Sequence, residues 1–293
     1  MRDEPAPFAS DEVLEALVSW GARTAGIRAM ILTSTRARPD GPVDEFSDYD
    51  VILAVTDPEA FAVDLGWQSA YGPPLVRWGD EDQLFGHPTF FRGVVYEDHV
   101  KVDYTIWSDA LLDELAQHET LPPGLDHGHR VLLDKDGRTQ GWPAPTATAY
   151  VLARPDEAEY RALVEEFWWG TTYAAKALRR GELFFASSFM LEHDLKLIAL
   201  LRMIKWRLAA DRDWAFAPAV YGRGLERHLD RTTLDELAAT YPRHTMDEIW
   251  TALFALVELF RRIATEVASE LGYVYPVDID ERMSARLETM LRR

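Results

Sequence analysis

Ser47-Asp48-Tyr49-Asp50-Val51-Ile52-Leu53-Ala54-Val55 is the stretch on which the fold of this chain turns. From Asp48 onward the residues alternate as in a β-strand, whose period of two sends Asp48 and Asp50 to one face with nothing apolar between them. Two carboxylates so placed repel each other unless a divalent cation or a proton sits between them, so the pair points to cation binding and not to stability alone. In isolation an Asp-x-Asp occurs by chance in many loops and strand ends. Its surroundings give it meaning.

Before this strand, Ile27 to Thr33 is short and apolar, bounded by Gly26 and by Ser34-Thr35, and the cluster Pro39-Asp40-Gly41-Pro42 predicts a loop. Ser10-Asp11-Glu12 ahead of Val13, Leu14, Leu17 and Val18 predicts a first helix over 11–24. After it, Pro58-Glu59-Ala60-Phe61 starts a turn or short helix, and Leu75 to Trp78 reads as a strand. Phe90 to Tyr96, the Glu97-Asp98 turn and His99 to Trp107 read as a hairpin whose second arm puts Lys101, Asp103 and Thr105 on one face. Val131-Leu132-Leu133 with Asp134-Lys135-Asp136-Gly137 suits a last strand and turn. A proline- and threonine-rich connection from Trp142 to Pro155 then marks a domain boundary. Beyond it the apolar spacing turns helical, over Ala158 to Arg180, Leu183 to Ala210, 233–240 and 246–271. The expectation is an α+β protein of two domains, 1–150 and 151–293, the second all-helical.

The balance of 49 acidic against 31 basic side chains, a formal net charge of -18, disfavours nucleic acid as a partner and favours cationic ligands. The absence of cysteine removes disulfides, thiolate metal sites and cysteine nucleophiles, and suits a cytoplasmic protein. The start Met1-Arg2-Asp3-Glu4-Pro5 is polar, and no segment reaches the about 18 uninterrupted apolar residues of a membrane span.

Three carboxylates on adjacent strands, Asp48, Asp50 and Asp103, can hold Mg²⁺, the third serving as a ligand or taking a proton from an attacking hydroxyl. Ser34 and Thr35 at the start of a turn can cradle phosphates while Arg36 offsets their charge. The chemistry implied is in-line displacement at phosphorus. In the helical half, Glu165, Glu166 and Asp194 can meet ammonium or guanidinium groups, Glu166 foremost, and Trp168 and Trp169 can stack on a sugar or a guanidinium. Trp168 stands at helical spacing with Tyr160, Leu163 and Phe167, where core packing is the commoner role of any one aromatic. His193, Lys196 and Lys205 read as surface residues, and Arg261-Arg262 and Arg292-Arg293 as solvated ends.

The order of Ile31-Leu32-Thr33-Ser34-Thr35-Arg36-Ala37, Asp44-Glu45-Phe46-Ser47-Asp48-Tyr49-Asp50 and Lys101-Val102-Asp103-Tyr104-Thr105 resembles the aminoglycoside 6-adenylyltransferase (streptomycin adenylyltransferase) family, within the polymerase-β-like nucleotidyltransferases. Leu132-Leu133-Asp134-Lys135-Asp136, Leu201-Arg202-Met203-Ile204-Lys205-Trp206 and Tyr273-Val274-Tyr275-Pro276 extend the resemblance over nearly the whole chain. It implies an N-terminal nucleotidyltransferase domain with a mixed sheet and flanking helices, followed by a helical substrate-binding domain, with ligands held between them. It implies ATP- and Mg²⁺-dependent transfer of AMP to an aminoglycoside hydroxyl, most simply that of streptomycin, and hence antibiotic resistance, in a monomer or weak homodimer. By resemblance Asp48 and Asp50 are metal ligands and Asp103 the third carboxylate, with Ser34, Thr35 and Arg36 at the phosphate turn. The family's Gly-Ser-Arg stands here as Ser34-Thr35-Arg36, and where the family carries a glycine followed by lysines that reach the triphosphate, the run Ala219-Val220-Tyr221-Gly222-Arg223 leaves only Arg223. Both departures touch nucleotide binding. They open the alternatives of a catalytically impaired protein that binds a cationic small molecule, or of a transferase with another acceptor or donor.

Overall fold

The computed structural model describes residues 11–38, 43–217 and 220–292. The polar start, the Pro39-Asp40-Gly41-Pro42 loop, Ala219 and Arg293 lie outside the described residues. The chain divides into two compact units, Met1–Ala149 and Tyr150–Arg293.

The first unit runs α1 (Glu12–Arg23), β1 (Ile27–Thr33), β2 (Tyr49–Val55), α2 (Pro58–Val63), β3 (Pro74–Leu84), β4 (His87–Tyr96), β5 (Lys101–Ser108), α3 (Asp109–Leu115), α4 (Pro123–Asp126) and β6 (His129–Asp134). Asp11 caps α1, its carboxylate accepting from the backbone N–H groups of Val13 and Leu14 at 3.1 and 3.2 Å. The strands form one six-stranded mixed sheet in the order β3-β4-β5-β2-β1-β6, with β2 and β5 parallel and the other neighbours antiparallel. Alternation along β2 divides the core. Tyr49, Val51, Leu53 and Val55 join the larger apolar cluster on one face, while Ile52 and Ala54 join the smaller one with Trp107, Leu111 and Leu115 on the other. Asp50 shares the face of Ile52 and Ala54, so the aspartates continue the smaller core's face where its apolar cover ends.

Two features of this sheet escape the pattern reading. Strand β3 is eleven residues long, not four, because Gly79-Asp80-Glu81-Asp82 looks like a polar loop; an edge strand with its side chains in water has no apolar alternation to show. It is joined to β4 by a two-residue turn in which Phe85 and Gly86 both have positive φ, 51° and 79°, the backbone sense that a tight hairpin requires.

The second unit is helical: α5 (Glu157–Arg179), a π-wound segment (Phe185–Leu200) that continues into α6 (Leu201–Ala210), then α7 (Arg231–Ala239), α8 (Met246–Leu271) and α9 (Val277–Arg292). Asp156 and Glu159 close a capping box at the start of α5, and Phe167 of α5 stacks on Phe260 of α8 with ring centroids 3.7 Å apart. Helix α9, unread in the sequence, is held by Asp280, which takes Arg261 of α8 in two hydrogen bonds of 2.5 and 2.6 Å. Arg261 and Arg262 are therefore not solvated ends. Arg262 reaches Glu236 of α7 and Glu266. Lys196 is likewise not a surface cation: its residue is 6% exposed, and its ammonium donates to Glu192 at 2.7 Å and to the Thr240 carbonyl at 2.9 Å. In each case the partner lies on another element or a turn away, which spacing alone does not reveal.

Candidate active site

In the parallel pairing of β2 with β5, Asp50 stands directly opposite Asp103. Asp48 precedes β2 by one residue and reaches the same neighbourhood, because the ammonium of Lys101 donates to Asp48 Oδ2 and to Asp103 Oδ2, each at 2.7 Å. The three predicted carboxylates are thus brought together. Burial, followed by the charge of Asp103, pushes the Asp50 carboxyl above its ordinary value, and a hydrogen bond from the Ser34 side chain offsets this only in part. Burial alone would lower the Lys101 ammonium, but its hydrogen bonds to Asp103 and Asp48 outweigh that and raise it.

Asp103 Oδ1 is buried with no hydrogen-bond partner. Gly93 of β4 is its register neighbour, and a Cβ there would come within 3.0 Å of this oxygen. A glycine inside an otherwise apolar strand is a sequence sign of close approach, and Phe91-Arg92-Gly93-Val94 carries it. Lys101 gave less warning, since a lysine alternating on a strand face usually points to water.

The turn after β1 is strained. Ser34 has φ 63° and ψ −151°, a region that is almost the preserve of glycine, and a side chain held there costs about 1–3 kcal/mol. Thr35 begins the short 3₁₀ turn Thr35–Ala37 that follows. Arg36 is not free for phosphate: its guanidinium donates to the Ser47 carbonyl at 2.9 Å and the Asp48 carbonyl at 3.2 Å, pairs with Asp11 at 3.4 Å and lies 4.0 Å from the centre of the Tyr49 ring. It fixes the backbone that carries Asp48. Arg223 is exposed, beside Gly222 and Gly224, both of positive φ.

In the helical unit, Glu166 and Asp194 line a cavity of about 380 Å³ together with Trp169, Tyr173, Phe185 and Phe189. Trp168 does not. It is 1% exposed and packs edge-on to Phe167 in the core, whereas Trp169, 66% exposed, presents its ring to the cavity; adjacent residues on a helix face about 100° apart, and only packing decides which tryptophan turns inward. Glu165 is absent from the cavity lining and pairs with Arg161 one turn away at 2.8 Å. His193 is exposed as expected and contacts Asp194 at 2.8 Å.

A sheet face with three acidic groups at one end is the chemistry of phosphoryl and nucleotidyl transfer, and the relatives of this chain are nucleotidyltransferases. The chain is 30% identical over 278 residues to an aminoglycoside 6-adenylyltransferase of Campylobacter jejuni, spanning 93% of this chain and 92% of that protein. It is 29% identical over 281 residues to the protein of the same name from Bacillus subtilis strain 168, spanning 94% and 96%. A crystal structure of an aminoglycoside 6-adenyltransferase from Bacillus subtilis aligns over 97% of this chain and 99% of that one, at 26% identity and a TM-score of 0.46. The family model described as streptomycin adenylyltransferase matches residues 9–290, and the chain belongs to that family. It is accordingly an enzyme of the nucleotidyltransferase class.

Proposed function

We propose that the protein transfers AMP from ATP to a hydroxyl of an aminoglycoside, with streptomycin as acceptor at its 6-hydroxyl, in a Mg²⁺-dependent reaction that confers resistance to the antibiotic. The observation that carries the proposal is Asp50 opposite Asp103 on parallel neighbours with Asp48 joined to them, in a chain whose relatives are named aminoglycoside 6-adenylyltransferases.

Among the described residues no three metal-ligating side chains stand together at the spacing of a closed metal site, and the cation between Asp48 and Asp103 is the ammonium of Lys101. The donor set nonetheless suits Mg²⁺. It offers hard carboxylate oxygens, one of them buried without a partner, and at Asp50 burial and the charge of Asp103 outweigh what the Ser34 hydrogen bond and the Lys101 charge do to favour the ionised form. Asp48, Asp50 and Asp103 would hold the ion, which when bound supplies charge neutralisation at the phosphoryl oxygens. Asp103 takes the proton of the acceptor hydroxyl in this reading. The acceptor oxygen bonds to the α-phosphorus as the bond to the bridging oxygen breaks, and pyrophosphate leaves with the electron pair.

Ser34, Thr35 and Arg223 serve the phosphates, and Arg36 acts through the backbone of Asp48. Glu166 and Asp194, with Trp169 among the rings, receive the acceptor's cationic groups, since carboxylates beside aromatic faces suit guanidinium and ammonium. No helix of the described residues is long and apolar enough to cross a membrane. We assign the activity to the cytoplasm, to a monomer or weak homodimer, and to no nucleic-acid partner.

Incubation with ATP, Mg²⁺ and streptomycin should release pyrophosphate and yield an AMP-modified product. Absence of turnover with every aminoglycoside in a panel overturns the proposal, and a panel of four nucleotides identifies the donor. A second reading, a binder of cationic small molecules with impaired catalysis, is favoured by the strained Ser34 and the engaged Arg36 at the phosphate turn. Calorimetry separates the two. Streptomycin binding without MgATP binding supports the binder, and Mg²⁺-dependent nucleotide binding supports the enzyme.

A further inference from the structure

Lys101 opens β5 two residues before Asp103, so the two side chains share a strand face, whereas Asp48 comes from the approach to the neighbouring parallel strand. One ammonium therefore bridges acidic groups of two strands, at 2.7 Å each, in a cluster whose third member, Asp50, lies opposite Asp103. An ordinary surface pair has one carboxylate and open solvent around it. Here the ammonium takes one oxygen from each of two carboxylates and leaves Asp103 Oδ1 buried without a partner. The Lys101 side chain is 40% exposed, so its flexible stem can swing the charge into water without disturbing the sheet.

We propose that Lys101 is a positioning residue of the aspartate face: its ammonium holds Asp48 and Asp103 together in the metal-free enzyme and competes with a divalent cation for both. Binding of the cation and release of Lys101 are then a single exchange. Like-charge repulsion among the three aspartates is relieved by the lysine before the exchange and by the divalent cation after it, so the carboxylates stay gathered throughout. The inference rests on the reading of these aspartates as a cation site.

The test uses the full chain stripped with EDTA and titrated with Mn²⁺, free ion being followed by electron paramagnetic resonance. Lys101→Met should melt at a lower temperature than wild type without metal, bind Mn²⁺ about tenfold more tightly, a factor equal to about 1.4 kcal/mol, and show the larger rise in melting temperature on adding Mn²⁺. Lys101→Arg, which keeps a cation, should restore the metal-free melting temperature. Lys101→Gln read by the same titration replaces the methionine variant should that one fold poorly. A purely structural lysine would lower melting equally with and without Mn²⁺ and leave affinity unchanged. That result, with wild-type binding that Asp50→Asn abolishes, overturns the inference alone. Failure of Mn²⁺ to bind any of these proteins removes the cation reading of the aspartates and this inference with it.

Discussion

The half-buried aspartate face of the first unit and the buried Asp280 of the second show two opposite treatments of a carboxylate. Asp280, 4% exposed, accepts two hydrogen bonds from Arg261, one from the Tyr275 hydroxyl at 2.7 Å and one from Ser284 at 3.0 Å. Burial pushes its carboxyl up, but these partners outweigh burial and hold it below the ordinary value. Asp50 has the reverse balance, raised by burial and by Asp103, and Asp103 keeps an oxygen without a partner. A carboxylate with every lone pair answered ties helices together. One left short of partners has capacity for a ligand.

The largest expected effect strikes the deficient side. Asp50→Asn and Asp103→Asn should each cut adenylyl transfer by about a thousandfold, the scale of losing a charge-handling group in the transition state, with circular dichroism unchanged. Retention of a tenth or more of the activity would break the contrast.

On the satisfied side, Asp280→Asn should destabilise the helical unit by about 3 kcal/mol in urea unfolding, because it leaves Arg261 without its buried partner. The pH dependences should then run in opposite senses. Asp280 is depressed, so its stabilisation is complete above the ordinary carboxylate value of about 3.9 and lost as pH falls through its own lower value. Asp50 is raised, so its contribution is complete below about 3.9 and lost as pH rises through its own higher value. Melting of metal-free Asp50→Asn and wild type should therefore coincide in acid and separate toward neutrality, with the variant the more stable; Asp280→Asn should separate from wild type at neutrality and converge with it in acid.

Glu166, an exposed carboxylate, lines the aromatic cavity of the helical unit. Glu166→Gln should raise KM for the aminoglycoside about tenfold with little change in kcat, consistent with losing one charge contact to the acceptor. An unchanged KM would move acceptor binding away from this cavity. The smallest effect is at Ser34. Ser34→Gly should raise stability by about 1 kcal/mol by relieving a glycine-type conformation, measured by urea unfolding, and a loss of stability would mean that the hydrogen bond to Asp50 outweighs the strain.

Much of this was legible without coordinates. The alternation of Asp48 to Val55 and of Lys101 to Trp107 located both strands and the face their aspartates share, since a strand's period is a local property. Helical spacing located α5, α6 and α8 for the same reason. The part of β3 beyond Trp78 was hidden because an exposed edge strand has no apolar face to print, whereas α9 carries Ile279, Met283, Leu287 and Met290 at helical spacing against the core and went unread among its charged residues.

Composition and spacing therefore determined the α+β class, the helical second half and the strand face that Asp50 and Asp103 share, all of which follow from periodicity and residue chemistry. Only the tertiary structure decided the parallel register that sets Asp50 against Asp103, the choice of Trp169 over Trp168 for the cavity, the engagement of Arg36 with the backbone of Asp48, and the bridge from Lys101. Each of these depends on which partner a side chain finds across space, and a free energy of contact between distant segments is written nowhere in the local sequence.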